Sequence, residues 1–187
     1  MGKIFGVLAG GAILLAVILG GFYNSLVQKD VGVDQAWAQV ENVLQRRSDL
    51  IPNLVATVKG YAKHEREVLD GLARARTQYA GAHGPSEKMA AAQEMGGYLS
   101  RLLVIVENYP NLKANENFNR LMDELSGTEN RISVERMRYN EAVGAFNGAI
   151  RRVPGNLFAG VMGFKARPFF EADQAARTVP KVEFEAK

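Results

Sequence analysis

Cysteine is absent from the 187-residue chain, and histidine occurs only twice. Without cysteine there is no disulfide framework, no thiol nucleophile and no thiolate metal site. That absence fits either side of a membrane. The two histidines do not make a metal pair. His64-Glu65 begins like a zinc-protease motif, but the second histidine belongs four positions on, where Val68 stands. His83 falls in a turn. Gly-x-Ser-x-Gly, Gly-x-Gly-x-x-Gly and phosphate-loop patterns are all missing. Carboxylate pairs such as Glu65 with Glu67, or Glu129 with Glu135, lack the Glu-x-x-His partner that builds di-metal bundles. No catalytic residue, cofactor or metal site is therefore expected. Period-two alternation and fixed-period repeats are lacking too, which excludes a β fold and a solenoid. Charge is nearly balanced, at +3 net with a pI of about 9.2. The basic residues are interleaved with acids, as in Lys63-His64-Glu65-Arg66-Glu67, so they read as a solvated helix face and not as a nucleic-acid footprint.

One stretch lacks charge altogether. Ile4 to Tyr23 runs IFGVLAGGAILLAVILGGFY, about the length of helix that crosses a 30 Å hydrocarbon core. A cleaved signal would show a shorter apolar run and a small-x-small site, whereas Phe22-Tyr23-Asn24-Ser25-Leu26 follows here. Tyr23 and Lys29 suit interfacial anchors. Residues 1–28 are accordingly read as a retained single-pass membrane anchor with the lipid bilayer as its partner. Lys3 on one side nearly balances Lys29 on the other, so charge alone does not orient it. Gly2, Gly6 and Gly10 recur every four residues. They place a smooth strip where another helix could approach closely, although glycine is common in membrane helices generally.

Beyond the anchor the pattern is helical. Val31-Gly32-Val33 loosens the chain and Asp34 is a good N-cap. Trp37, Val40, Leu44, Arg47, Ile51, Leu54, Val58, Tyr61, Glu65, Val68, Leu72, Ala75 and Tyr79 follow at spacings of three and four, a coiled-coil-like seam of about six heptads. Pro52 predicts a bend in it, or the first turn of a second helix. Ser86 to Asn108 reads as the next helix, capped by Ser86 and ended by Tyr109-Pro110. A second seam runs Phe118, Leu121, Leu125, Thr128, Ile132, Glu135, Tyr139, Ala142, Phe146, Ala149 and closes at Val153-Pro154. Leu157 to Phe164 is a short apolar piece, and residues 166–187 read as loop and tail.

Several blocks then carry a family likeness. They are Ala36-Trp37-Ala38-Gln39-Val40, Gln45 to Val55 (QRRSDLIPNLV), Val58 to Glu65 (VKGYAKHE), Glu107 to Ala114 (ENYPNLKA), Thr128 to Ile132, and Arg138-Tyr139-Asn140 with Asn147. In this order they resemble the signature segments of the bacterial LemA family. The resemblance implies a transmembrane helix followed by an up-and-down bundle of four long antiparallel helices over residues 29–165. It also implies a short outer N-terminus and a cytoplasmic body at the inner membrane, and supplies no activity, cofactor or catalytic residue.

The polar residues on the seams carry the remaining information. Arg47, Glu65, Thr128 and Glu135 stand where a bundle wants apolar side chains, and an unpaired buried ion costs several kcal/mol. They are read either as ion pairs that set helix register or as a polar cleft for a partner. Arg46 and Arg47 with Asp49 allow a surface pair. The first seam, as one helix of about 46 residues and about 69 Å, is twice as long as the helix that follows, and a second copy would cover the excess. The expected function is a non-enzymatic, membrane-anchored scaffold or docking module, homo-oligomeric or bound to an unidentified protein partner. An accessory subunit of a membrane protease or signalling complex is the first alternative, and an enzyme with an unrecognised polar cleft the second.

Overall fold

Apolar residues spaced three, four or seven apart from Leu26 to Val58 lay one stripe along a helix, and that helix forms without interruption. In the computed structural model, which describes residues 2–62 and 64–171, α1 runs Gly2–Lys59. It is followed by α2 (Arg66–Gly81), α3 (Gly84–Val106), α4 (Pro110–Lys113), α5 (Glu116–Arg151) and α6 (Gly155–Phe158). No strand occurs among the described residues, and the protein is all-α.

The helix boundaries differ from the expected ones in three places. Gly32 and Asp34 lie inside α1 and start nothing. Pro52 is also inside α1 and exposed, and the helix runs on to Lys59. The break falls instead at residues 60–65, where the Tyr61 and Ala62 amides both donate to the Val58 carbonyl and close the last turn. The seam read as one helix is therefore two, α1 and α2. Its phase carries through the turn because a heptad count does not register the loss of helical backbone. With α2 spanning 16 residues beside the 23 of α3, the length mismatch that called for a second copy disappears. Finally, α3 starts ahead of Ser86. Gly84 takes a positive φ of 74°, and the His83 amide donates to Glu87 Oε2 at 2.8 Å.

The chain divides into two compact units, residues 1–43 with 131–169, and 44–130 with the chain from Phe170 onward. In the first, Leu26, Val33, Trp37 and Val40 of α1 are buried, as are Ile132, Tyr139, Val143 and Phe146 of α5. Trp37 and Tyr139 meet edge to face at 5.5 Å, and Phe164 lies against both Tyr23 and Phe146. Residues 2–18 are exposed throughout. This end of α1 is long and apolar enough to cross a membrane.

In the second unit the end of α1, α2, α3 and the start of α5 enclose one core, which includes Ile51, Leu54, Leu72, Met95, Leu102 and Phe118. Connections of two to nine residues make sequential helices antiparallel neighbours. At Gly71 the Tyr98 ring occupies the space a Cβ would take, so α2 and α3 approach closely there. Of the expected tail, Arg167 and Pro168 are hydrogen-bonded in the first unit and Phe170 is buried. The tail from residue 172 lies outside the described residues.

Leu54 is 1 % exposed in this core, so Leu54→Asp buries an unpaired carboxylate and should cost more than about 3 kcal/mol. Gln78→Asp, on an exposed face of α2, should cost under about 1 kcal/mol. Denaturation followed by circular dichroism compares them, and equal losses would refute the core assignment.

Candidate functional site

The second unit holds a groove of about 200 Å³ lined by α1, α3 and α5. Leu54, Leu99, Val106, Phe118 and Met122 form its apolar wall, with Arg47 and Glu129 among its polar members. Arg47 is mostly buried and its Nη1 donates to Glu129 Oε2 at 2.6 Å, while Glu129 is half in solvent. Gly96 of α3 lies beside the guanidinium, whose Nη2 is 3.9 Å from the position of an added Cβ, an ordinary contact. The Arg47 Nε–H is buried and has no hydrogen-bond partner. An unspent buried donor costs about 1–3 kcal/mol. The groove thus offers an apolar bed with the Arg47–Glu129 ion pair at its side, which suits an apolar group. Neither histidine lines it.

The other seam residues do not join Arg47 there. Thr128 is buried and its hydroxyl donates to the Leu125 carbonyl at 2.7 Å, one turn back on its own helix. Glu135, in the first unit, accepts from Arg138 at 2.8 Å. Glu65 lies off the seam, in the turn before α2, where the Tyr109 hydroxyl donates to it at 3.0 Å. That bond raises the Tyr109 phenol above its ordinary value, and burial and the carboxylate charge add to the rise. Beside it Asn115 caps α5 by accepting from the Phe118 amide, and its side-chain amide donates to Tyr61. Two connections of the second unit are thereby tied together by Tyr61, Glu65, Tyr109 and Asn115. Asp49 accepts from Gln45, not from either arginine, and Arg46 reaches Glu124 at 3.8 Å. A Cβ added at Gly2, Gly6 or Gly10 would meet nothing within 4 Å.

A clasp in the first unit escaped the sequence reading. The Asn147 side chain makes two bonds to the backbone of Arg167, donating to its carbonyl and accepting from its amide, each at 2.9 Å. The Arg167 guanidinium reaches Asp30 at 2.8 Å and Asp34 at 3.2 Å on α1. Tyr139 completes the set by donating to the Pro168 carbonyl at 2.8 Å. Asn147 and Tyr139 were visible as signature residues, but Arg167 sits in coil, where periodicity carries no signal.

Burial is the largest influence on the Tyr139 phenol and raises it above its ordinary 10.0. The Arg167 guanidinium pulls it down and the Asp34 carboxylate pushes it up. A raised folded-state value means the phenol's contribution is complete below about pH 10 and is lost as pH climbs through that folded-state value. Tyr139→Phe keeps the ring and strands the Pro168 carbonyl, and should cost about 1–3 kcal/mol at neutral pH. Its melting temperature should then fall less steeply than the wild type's above pH 10. Parallel alkaline declines in a thermal melt series would contradict the assignment.

Comparison with known proteins agrees with these features. The sequence profile of the LemA family matches residues 36–184. Magnetosome protein MamQ 2 and Magnetosome protein MamQ 1 of Paramagnetospirillum magneticum are each 26% identical to this chain, over 83% of it and 67% of their own length. Magnetosome protein MamQ of Magnetospirillum gryphiswaldense is 25% identical over the same shares. With a match that begins beside Trp37 and takes in every helix from the second half of α1 onward, the chain belongs to the LemA family.

Proposed function

We propose that this protein is a non-enzymatic, membrane-tethered helical scaffold that assembles with copies of itself, its body on the cytoplasmic side of the inner membrane. The observation that carries the proposal is the uncovered apolar start of α1. Residues 2–18 are exposed, and the Gly6 and Gly10 positions are open. Lipid covers such a surface, and a small-residue strip lets a second helix backbone approach closely within it. Buried polar groups such as Thr128 and Asn147 are committed to structure. From relatives named as magnetosome proteins the proposal takes the helical module alone.

In mild detergent the full chain should run as a multiple of its 20.5 kDa mass, and Gly6→Leu with Gly10→Leu should shrink that assembly in mass photometry. An assembly that ignores both substitutions would overturn the glycine contact. A monomeric wild type would overturn self-association and favour the accessory-subunit reading, in which the groove beside Arg47 receives an apolar side chain of a protein partner.

The cytoplasmic orientation is part of the proposal, and the basic residues on the body side support it. Lys29 flanks the span on the body side, and Arg151, Arg152 and Lys165 belong to the same unit, against Lys3 alone on the other side. A fluorescent reporter that matures only in the cytoplasm, fused after Lys187, should be bright and the matching alkaline-phosphatase fusion inactive. The reverse pair of results would put the body outside.

A further inference from the structure

Between Glu141 and Glu171 the chain has no acidic residue, yet it carries Arg151, Arg152, Lys165 and Arg167. Arg167 is committed to Asp30 and Asp34. Arg151, Arg152 and Lys165 are exposed, and none is ion-paired among the described residues. Three large apolar side chains on the same segment also face outward. Val153 is 77% exposed, Leu157 63% and Val161 89%, four residues apart in sequence. Ala159 is buried and Phe164 half-buried against Phe146 and Tyr23, so the segment has an inner face already packed and an outer face that is apolar and basic.

The position of this segment is set within the first unit. Trp37 of α1 touches Tyr139 of α5, and Phe164 bridges Tyr23 and Phe146, so the two helices run antiparallel. Fourteen residues back along α1 and twelve forward along α5 from that Trp37–Tyr139 contact, about 21 and 18 Å, bring Tyr23 close to the level of Arg151, where α5 ends. Tyr23 closes the uncharged run that starts at Ile4. The segment from Arg151 to Lys165 therefore begins where the span leaves the hydrocarbon, and the protein's own cover over α1 stops nearby, since every residue from 2 to 18 is exposed.

We propose that residues 151–165 form a second membrane contact. Val153, Leu157 and Val161 enter the interfacial layer, while Arg151, Arg152 and Lys165 bind the anionic headgroups around the span. The surface has the composition of an interfacial anchor, basic residues with apolar ones between them. The segment also meets α1 at the end of its uncharged run, where Phe164 lies against Tyr23. The inference rests on the reading of α1 as a bilayer span.

The absence of cysteine allows single labels in the full chain. An environment-sensitive NBD fluorophore is placed at Leu157→Cys, at Ile13→Cys in the span, or at Ser133→Cys, an exposed α5 position about 27 Å back from Arg151. Each protein is reconstituted into vesicles of phosphatidylcholine with phosphatidylglycerol. The Leu157 probe should be blue-shifted and quenched by lipids labelled near the headgroup, the Ile13 probe by lipids labelled deep in the acyl chain, and the Ser133 probe by aqueous iodide only. Iodide quenching of Leu157 equal to that of Ser133, with Ile13 still in lipid, would overturn this inference and leave the span intact. A water-exposed Ile13 would instead overturn the span. A Leu157 probe shielded from both iodide and lipid would mean that a protein surface covers the segment, and would also refute the proposal. Replacing Arg151, Arg152 and Lys165 by glutamine should lower the lipid-contacting population in acidic vesicles by up to roughly fivefold for each charge removed. Lipid quenching identical in acidic and purely phosphatidylcholine vesicles would refute the headgroup assignment.

Discussion

Everything past Tyr23 depends on covering one apolar stripe of α1. Leu26, Val33, Trp37, Val40, Leu44, Ile51, Leu54 and Val58 are all buried along a single helix, and a stripe of that kind stays helical in water only while other elements exclude solvent from it. Burying each large side chain is worth about 1.5–3 kcal/mol. In the first unit the cover comes from the second half of α5 and the segment after it. In the second it comes from α2, α3 and the first half of α5. The polar interactions that accompany this burial are of two kinds, local ones such as Thr128 to Leu125 and long-range ones such as Arg47 to Glu129 and Arg167 to Asp30.

Much of this architecture was legible. The uncharged stretch, the all-α class, the hairpin at Gly81–Pro85 and the end of α3 before Pro110 all follow from punctuation and period. The break at Gly60 was not legible. Tyr61 and Glu65 continue the spacing of three and four across it, and Glu65 was placed on the seam when it stands in a turn bonded to Tyr109. Gly60 and the polar run after it are the local signal of the break. Pro52 is tolerated because it is exposed, away from the packed face of α1.

The polar positions divide in the same way. Arg47 was picked out because a charge occupied an apolar register position, and it does line a groove with one donor unspent. Its partner Glu129 lies 82 residues away, a pairing that no local pattern encodes. The Arg167 clasp was beyond reach for a related reason. Two carboxylates on α1, an amide on α5 and a guanidinium in coil share no period, and only the folded chain brings them together.

The clasp joins side chains 137 positions apart in the sequence. At roughly 5–20 residues per second, Asp30 and Asp34 are synthesised about 7–27 s before Arg167. Through most of that interval the second half of α5, which covers Trp37 and its face of α1, is still incomplete, while residues 44–130 are made before it. The cover for the start of the stripe is therefore made after residues 44–130, and a nascent chain stalled before the second half of α5 would leave Leu26, Val33, Trp37 and Val40 bare.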